Sequence, residues 1–334
     1  MNRRQFTIST MQAALGLSVP AWLPAAARAS APLPPAGYPG RVVHAVVPYP
    51  AGGVVDITIR TATDRMSLAM PQRILVENRP GADGKIGVEA VSRAEPDGYT
   101  LLAATPVLSV SESLYPQTSI RVRDFRAIGA VAAVPAIFVV ADSVPARTLA
   151  EFVAWARERP GRINVPNPGT GSSIHLGQEL FFEATGIKAV NIGYKGQPPS
   201  VPDLGQGQLH FALLSQSIAL PLIKAGRVRA LAANAGQRTQ SLPEVPTIAE
   251  AGYPGVLVRS WYGLAAPART PDKVIAYLSG VLQQAMATAD VRGKLAGLDA
   301  EILALDAPAF GRLIAAEQVR WAALIKARNI QASA

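Results

Sequence analysis

Cysteine is absent from all 334 residues. That excludes disulfides, thiol nucleophiles and lipid attachment at an N-terminal cysteine. Histidine is almost absent: His44, His175 and His210 are the full set. A Ser–His–Asp site needs a base beside its nucleophile. His44 falls inside a predicted strand, His210 opens another, and Ser172 and His175 are too close in sequence to build the usual elbow. No G-x-S-x-G occurs. Metal sites fare no better, with no H-x-x-x-H and no compact carboxylate cluster. Aromatic residues make up 6% and charged residues 16%. The basic residues are scattered, so nothing tracks a nucleic-acid backbone. Beyond the first thirty residues, no apolar stretch is long enough to span a bilayer.

What the chain does have starts at its beginning. Arg3 and Arg4 precede an apolar stretch from Met11 to about Ala27, and "AARASA" offers small residues for cleavage after Ala29 or Ala31. This order is that of a cleaved export signal over residues 1–29. The paired arginines give it a twin-arginine look, against the general route as the alternative. Pro20 and Pro24 make the stretch a poor permanent anchor, so a soluble product in the export compartment is expected. The net charge is +9; the first 29 residues hold three arginines and no acid, which leaves +6 on the rest. A mild positive balance suits an anionic small ligand.

About 300 residues remain, enough for two lobes. "RVVHAVVPY" is nearly continuous in its apolar residues, as in a parallel strand buried on both faces. A helix over about 54–69, the strand "QRILVEN", the helix "VEAVSRAE" and the strand in "PDGYTLLAAT" follow. This βαβαβ order predicts a doubly wound α/β sheet. "FRAIGAVAAVPAIFVVAD" holds two apolar segments, read as paired strands or long crossovers. The middle then repeats the alternation, "SWYGLAAPA" is a strand or a loop, and a last helix runs over about 307–328. No repeat of fixed period is present.

Two Gly-rich turns lie at the carboxyl ends of predicted strands, where ligands sit in open α/β sheets. One is Pro50, Ala51, Gly52 and Gly53, after Tyr49; the other is Gly169, Thr170, Gly171, Ser172 and Ser173. Each leads into a helix, whose free N–H groups and positive dipole end favour an anion. An ordinary tight βα turn explains the first equally well. The hydroxyls of Thr170, Ser172 and Ser173 suit a carboxylate, though a serine there is also an N-cap. "GTGSSIHLG" has no Walker lysine and no acid spaced for a ribose, which sets nucleotides aside. His175, in the first helical turn, should stay neutral at the dipole's positive end and could serve the ligand or the fold. Asp56, near the third position of its helix, reads best as a cap.

The ordered set "PYPAGGVVDITIR", "VENRPGADGKIG", "PDGYTLL", "GTGSSIHL", "YKGQPPSVPDL", "SWYGLAAPARTP" and "FGRLIAAEQVRWAALIKA" resembles the Bug family over nearly the whole mature chain. These are the periplasmic substrate-binding receptors of tripartite tricarboxylate transporters. The resemblance implies an α/β fold of the two-lobe type II periplasmic binding protein kind, with a ligand cleft between the lobes. Lobe one would take residues 40–140 plus 255–334, tied together by the last helix, and lobe two 141–254. It implies no catalysis and no cofactor, a small carboxylate as ligand, and a monomer that delivers it to a membrane permease of one large and one small subunit. The loop Tyr49–Gly53 would contact one carboxylate, partly through water. The loop 169–173, backed by His175, would hold another part of the ligand. Thr105 and Pro106 would line the cleft, with Tyr194, Lys195 and Gly196. The runner-up is a receptor of the same fold that signals to a sensor kinase; an exported α/β enzyme is a weaker third.

The departures from the family pattern matter too. Members that hold an amino acid resemble one another in placing an aspartate where alignment of "QLHFALLSQSIALPLIKAG" puts Leu214, and an acid where His210 stands. The expectation is therefore a carboxylate without an amine. "NIGYKG" replaces the commoner "VPYKG". Lys85 replaces a frequent Asn, with only a surface effect expected.

Overall fold

A computed structural model describes residues 33–81, 84–115, 117 and 120–331. The export signal expected over 1–29 and both candidate cleavage points lie outside these residues.

The first three strands, β1 (Val43–Val47), β2 (Ile74–Asn78) and β3 (Thr100–Ala104), are parallel, with β1 in the middle. They are linked by α1 (Val54–Ser67) and α2 (Lys85–Ser92), the predicted βαβαβ unit. α1 stops two residues short of expectation: Leu68 and Ala69 N–H bond to carbonyls only three residues back, and Ser67 Oγ accepts from the Ile74 N–H of the next strand. After α3 (Val107–Leu114) come β4 (Phe125–Val134) and β5 (Ala136–Ala141). They are neither a pair nor crossovers. β4 belongs to the first sheet, and β5 is the middle strand of a second one. Pro135 stands between them; lacking an N–H, it cannot continue the ladder.

The second region does not repeat the first. β5 runs antiparallel to both β8 (Phe211–Ser215) and β9 (Val228–Asn234). A separate parallel pair is formed by β6 (Ile163–Asn167) and β7 (Ala189–Gly193). α4 (Leu149–Arg157), α5 (Ser173–Thr185), α6 (Val201–Gly205) and α7 (Gln216–Lys224) complete it. Its core is aromatic: the rings of Phe152 and Phe211 stack 4.4 Å apart, and Phe138 and Phe181 pack beside them.

The chain returns through residues 235–259 to β10 (Ser260–Pro267), an antiparallel strand wedged between β3 and β4. α8 (Asp272–Met286), α9 (Ala289–Ala296) and the short β11 (Glu301–Ile302) follow. The first sheet then reads β11-β4-β10-β3-β1-β2. Two strand-level crossings thus join the regions, one at Pro135 and one after β9.

The final helix, α10 (Ala307–Ala327), packs on α3 and β4, as expected for a tie-back onto the first sheet. Glu317 fixes it there, accepting from Trp261 Nε1 at 2.9 Å and Trp321 Nε1 at 3.0 Å. Its last turns reach further than expected. Trp321, Leu324 and Ile325 share an apolar cluster with Leu176 of α5, and Arg328 just beyond pairs with the buried Glu179 at 2.8 Å. One helix therefore grips both regions.

Candidate functional site

The carboxyl ends of β1, β3 and β6 deliver the chain into α1, α3 and α5, and these three helices start around one cavity of about 300 Å³. Its wall includes Tyr49, Val55, Thr105, Pro106, Ser172, Ser173, Ser260 and Tyr262. The first N–H groups of any α-helix lack partners inside the helix. No side chain caps α1 at Gly53, so its dipole end stays open to an acceptor; α3 also has no side-chain cap, but its Leu108 and Ser109 N–H groups donate to the Thr105 and Pro106 carbonyls. At α5 the predicted serine cap is present: Ser172 Oγ accepts from the His175 N–H at 3.2 Å. Ser173 Oγ lies 2.8 Å from Ser260 Oγ, a hydrogen bond from the second region to the first sheet across the cavity floor.

The turn 49–53 is shaped by a buried carboxylate. Asp56, 3% exposed, accepts from Gly52 N–H at 2.9 Å, from Arg60 Nε at 3.0 Å and from Asn78 Nδ2 at 2.9 Å. Asn78 Nδ2 also donates to the Tyr49 carbonyl at 3.0 Å, and Arg60 Nη2 donates to Asn78 Oδ1 at 2.8 Å. Burial alone would raise the Asp56 pKa; the bonds from Arg60, Gly52 and Asn78 outweigh it and hold the carboxyl below its ordinary value. Asp56 consequently positions the turn through Gly52, ahead of the helix; it bonds none of the first N–H groups of α1, so the capping reading does not hold, and as a ligand-binding candidate it does not line the cavity. Ala51, Gly52 and Gly53 also stay off the wall; Tyr49 and Pro50 are the members of that turn that line it.

The second turn is braced from below. Asn167 Oδ1 accepts from Gly169 N–H at 3.1 Å, and its Nδ2 donates to Thr170 Oγ1 at 3.2 Å. His175 Nδ1 accepts from Gly171 N–H at 3.3 Å, which puts the ring proton on Nε2, toward Glu179 4.0 Å away. Burial lowers the His175 pKa, with Glu179 opposing, so the ring is neutral as expected but mainly because it is buried. It supports the loop rather than lining the cleft. Gly171 sits at φ +84°, and a Cβ there would lie 2.4 Å from Leu114 Cδ2 of α3, so this loop requires glycine for both reasons.

A larger, mostly apolar chamber of about 730 Å³ continues outward from the first, sharing Tyr49, Val107, Pro168, Ser172 and Gly196 with it. Gly169, Thr170, Gly171, Tyr194 and Lys195 line it, as expected. Tyr194 OH donates to Asp203 Oδ2 at 2.5 Å, and burial together with that carboxylate pushes the phenol up to about 12.

Two expectations are corrected. Leu214 does not reach the cleft: it is fully buried in β8, opposite Ile137, inside the second region's core. Its neighbour Ser215 faces the cavity instead, bracketed by Gln197, whose Oε1 accepts from Ser215 N–H at 2.7 Å and whose Nε2 donates to Ser215 Oγ at 2.9 Å. Lys85 is no remote surface residue: it lines the outer chamber, with Nζ 3.6 Å over the Tyr115 ring. Among the described residues, neither chamber is lined by an Asp or a Glu. His44, with Nδ1 2.5 Å from Glu77, and His210, accepting from Asn164 N–H, serve the strands. Ser215, Gln197, Ser260 and Tyr262 went unread in the sequence; Ser215 alone had a signal, as the polar residue closing an apolar strand.

The family model of the "Tripartite tricarboxylate transporter family receptor" matches residues 58–330. BugT of Bordetella pertussis is 32% identical over 90% of this chain and 94% of its own length. A solved R. palustris protein with adipate is 31% identical, with a TM-score of 0.76 over 88% of this chain and 99% of that one. MatC from Rhodopseudomonas palustris, with bound malate, is 28% identical, with a TM-score of 0.74 over 86% of this chain and 100% of that one. The two-lobe periplasmic binding protein fold follows from these likenesses and the two sheet regions together.

Proposed function

The chain belongs to the tripartite tricarboxylate transporter receptor family, and on that premise we propose that it is an extracytoplasmic receptor for a small carboxylate without an amine. It would take that acid in the cleft between its lobes and deliver it to a membrane permease of large and small subunits. The lobes expected from the sequence, 40–140 plus 255–334 and 141–254, shift at the first crossing to Pro135, because β5 lies in the second sheet; the receptor works as a monomer, without a cofactor or catalysis. The observation that carries this reading is the lining: three helix starts, serine and threonine hydroxyls and two lysines, with no carboxylate side chain among the described residues. An anion gains hydrogen bonds and dipole stabilisation there, and an ammonium group finds no counter-charge among the described lining residues. The solved relatives bearing adipate and malate support the ligand class.

The mechanism is closure. Tyr49 and Thr105 approach the ligand from the first sheet, and Ser172, Ser173 and Gly196 from the second region. An acid that touches both sides stabilises the closed arrangement over the open one. The test is a thermal-shift screen on mature protein unfolded and refolded to strip carried ligand. A carboxylate should raise the melting temperature with its concentration. A shift confined to amino acids would overturn the reading.

A further inference from the structure

Resting on the carboxylate reading, we infer that Lys85 is a specificity-determining residue that receives a distal anionic group on a ligand whose middle is apolar or aromatic. Lys85 is the first residue of α2, whose first turn holds no acid. A cation there opposes the helix dipole, so the position is locally unfavourable. Among the described residues, Lys85 takes part in no ion pair. Its ammonium is instead laid over Tyr115, on the wall of the outer chamber. That aromatic contact holds the cation at the chamber wall without neutralising its charge, which leaves it available to an anion.

The chamber around it states the rest of the ligand. The chamber wall that Lys85 shares also includes Pro48, Tyr49, Pro80, Val110 and Leu114. A carboxylate held at the helix starts projects its body onto these apolar surfaces, where hydroxyl-rich groups gain little. Among the described residues, Lys85 from the first region and Lys195 from the second are the charged groups lining the chamber. The inner site sets affinity for one anion; Lys85 selects for a second one at the far end of a spacer.

The experiment is calorimetric titration of the refolded chain with matched pairs: hexanoate against adipate, and benzoate against benzene-1,4-dicarboxylate. Wild type and Lys85→Met are compared, with equal melting temperatures without ligand as the folding control. The dianion of at least one pair should bind wild type more tightly than its monoanion. Lys85→Met should weaken that dianion about tenfold, the ~1.4 kcal/mol of one charge-assisted contact, and leave the monoanion within about twofold. Equal losses on both members of a pair, or none on either, would overturn the inference alone. Binding of none of the four acids would overturn the carboxylate reading and this inference with it.

Discussion

Asp56→Ala is the perturbation whose size the structure sets most tightly. The carboxylate accepts from Gly52, Arg60 and Asn78, and it is 3% exposed. Hydrogen bonds to a charged group are worth about 1.5–3 kcal/mol each, and a buried partner left unmatched costs about 1–3 kcal/mol more. Two features discount the sum. Arg60's side chain is 40% exposed and can return to water, and Asn78 keeps its bond to the Tyr49 carbonyl. The net expectation is a loss of about 3 kcal/mol, read by urea denaturation with an unchanged m-value. Asp56→Asn keeps the shape and loses the charge, so about half that loss follows. Binding weakens in parallel, because the turn that carries Tyr49 and Pro50 loses its anchor to α1 and β2. The pH dependence has a definite sign. The folded pKa is lowered, so the stabilisation is present above the ordinary aspartate range and is lost as pH falls through the depressed folded value. The alanine variant should lack that acid-side loss. A destabilisation below about 0.5 kcal/mol, typical of an exposed substitution, would refute the network argument.

Further outcomes follow from other contacts. Gly171→Ala must adopt φ +84° with its Cβ 2.4 Å from Leu114 Cδ2, so it should cost about 2–4 kcal/mol and depress ligand affinity, both read by thermal melting with and without acid. Glu317→Leu leaves the Trp261 and Trp321 indole N–H groups without their acceptor, for a loss of about 2–4 kcal/mol and a changed tryptophan emission. Burial raises the Glu317 pKa despite both indole donors, so its contribution is full below the ordinary glutamate range and falls as pH rises through the folded value; Glu317→Gln should flatten that part of the stability–pH curve. Ser173→Ala removes the hydrogen bond to Ser260 for about 1 kcal/mol or less of stability, while small-angle scattering should show a shifted balance of open and closed forms.

Much of the fold is legible in the sequence. Strong apolar runs bounded by Gly-Gly or Pro-Asp-Gly fixed the βαβαβ unit, and the Ser172 cap was visible because N-caps are local chemistry. What escaped depends on partners distant in sequence. Whether β4 and β5 pair or part is decided by β10, which arrives some 125 residues after Pro135 to lie beside β4. Leu214 and Ser215 differ by one position in a strand, and one step reverses the face a side chain takes. Lys85 looked like a surface residue since its local sequence is a turn; only α3 and Tyr115 just after it turn that surface into a chamber wall.

The central claim is that the cleft holds a carboxylate and has no place for an amine. Titration calorimetry with succinate against aspartate, and adipate against 2-aminoadipate, tests it directly. At least one plain acid should bind, and its amino counterpart should bind at least about tenfold more weakly, since the described lining residues offer an ammonium no counter-charge. Equal or tighter binding of the amino acid would contradict it.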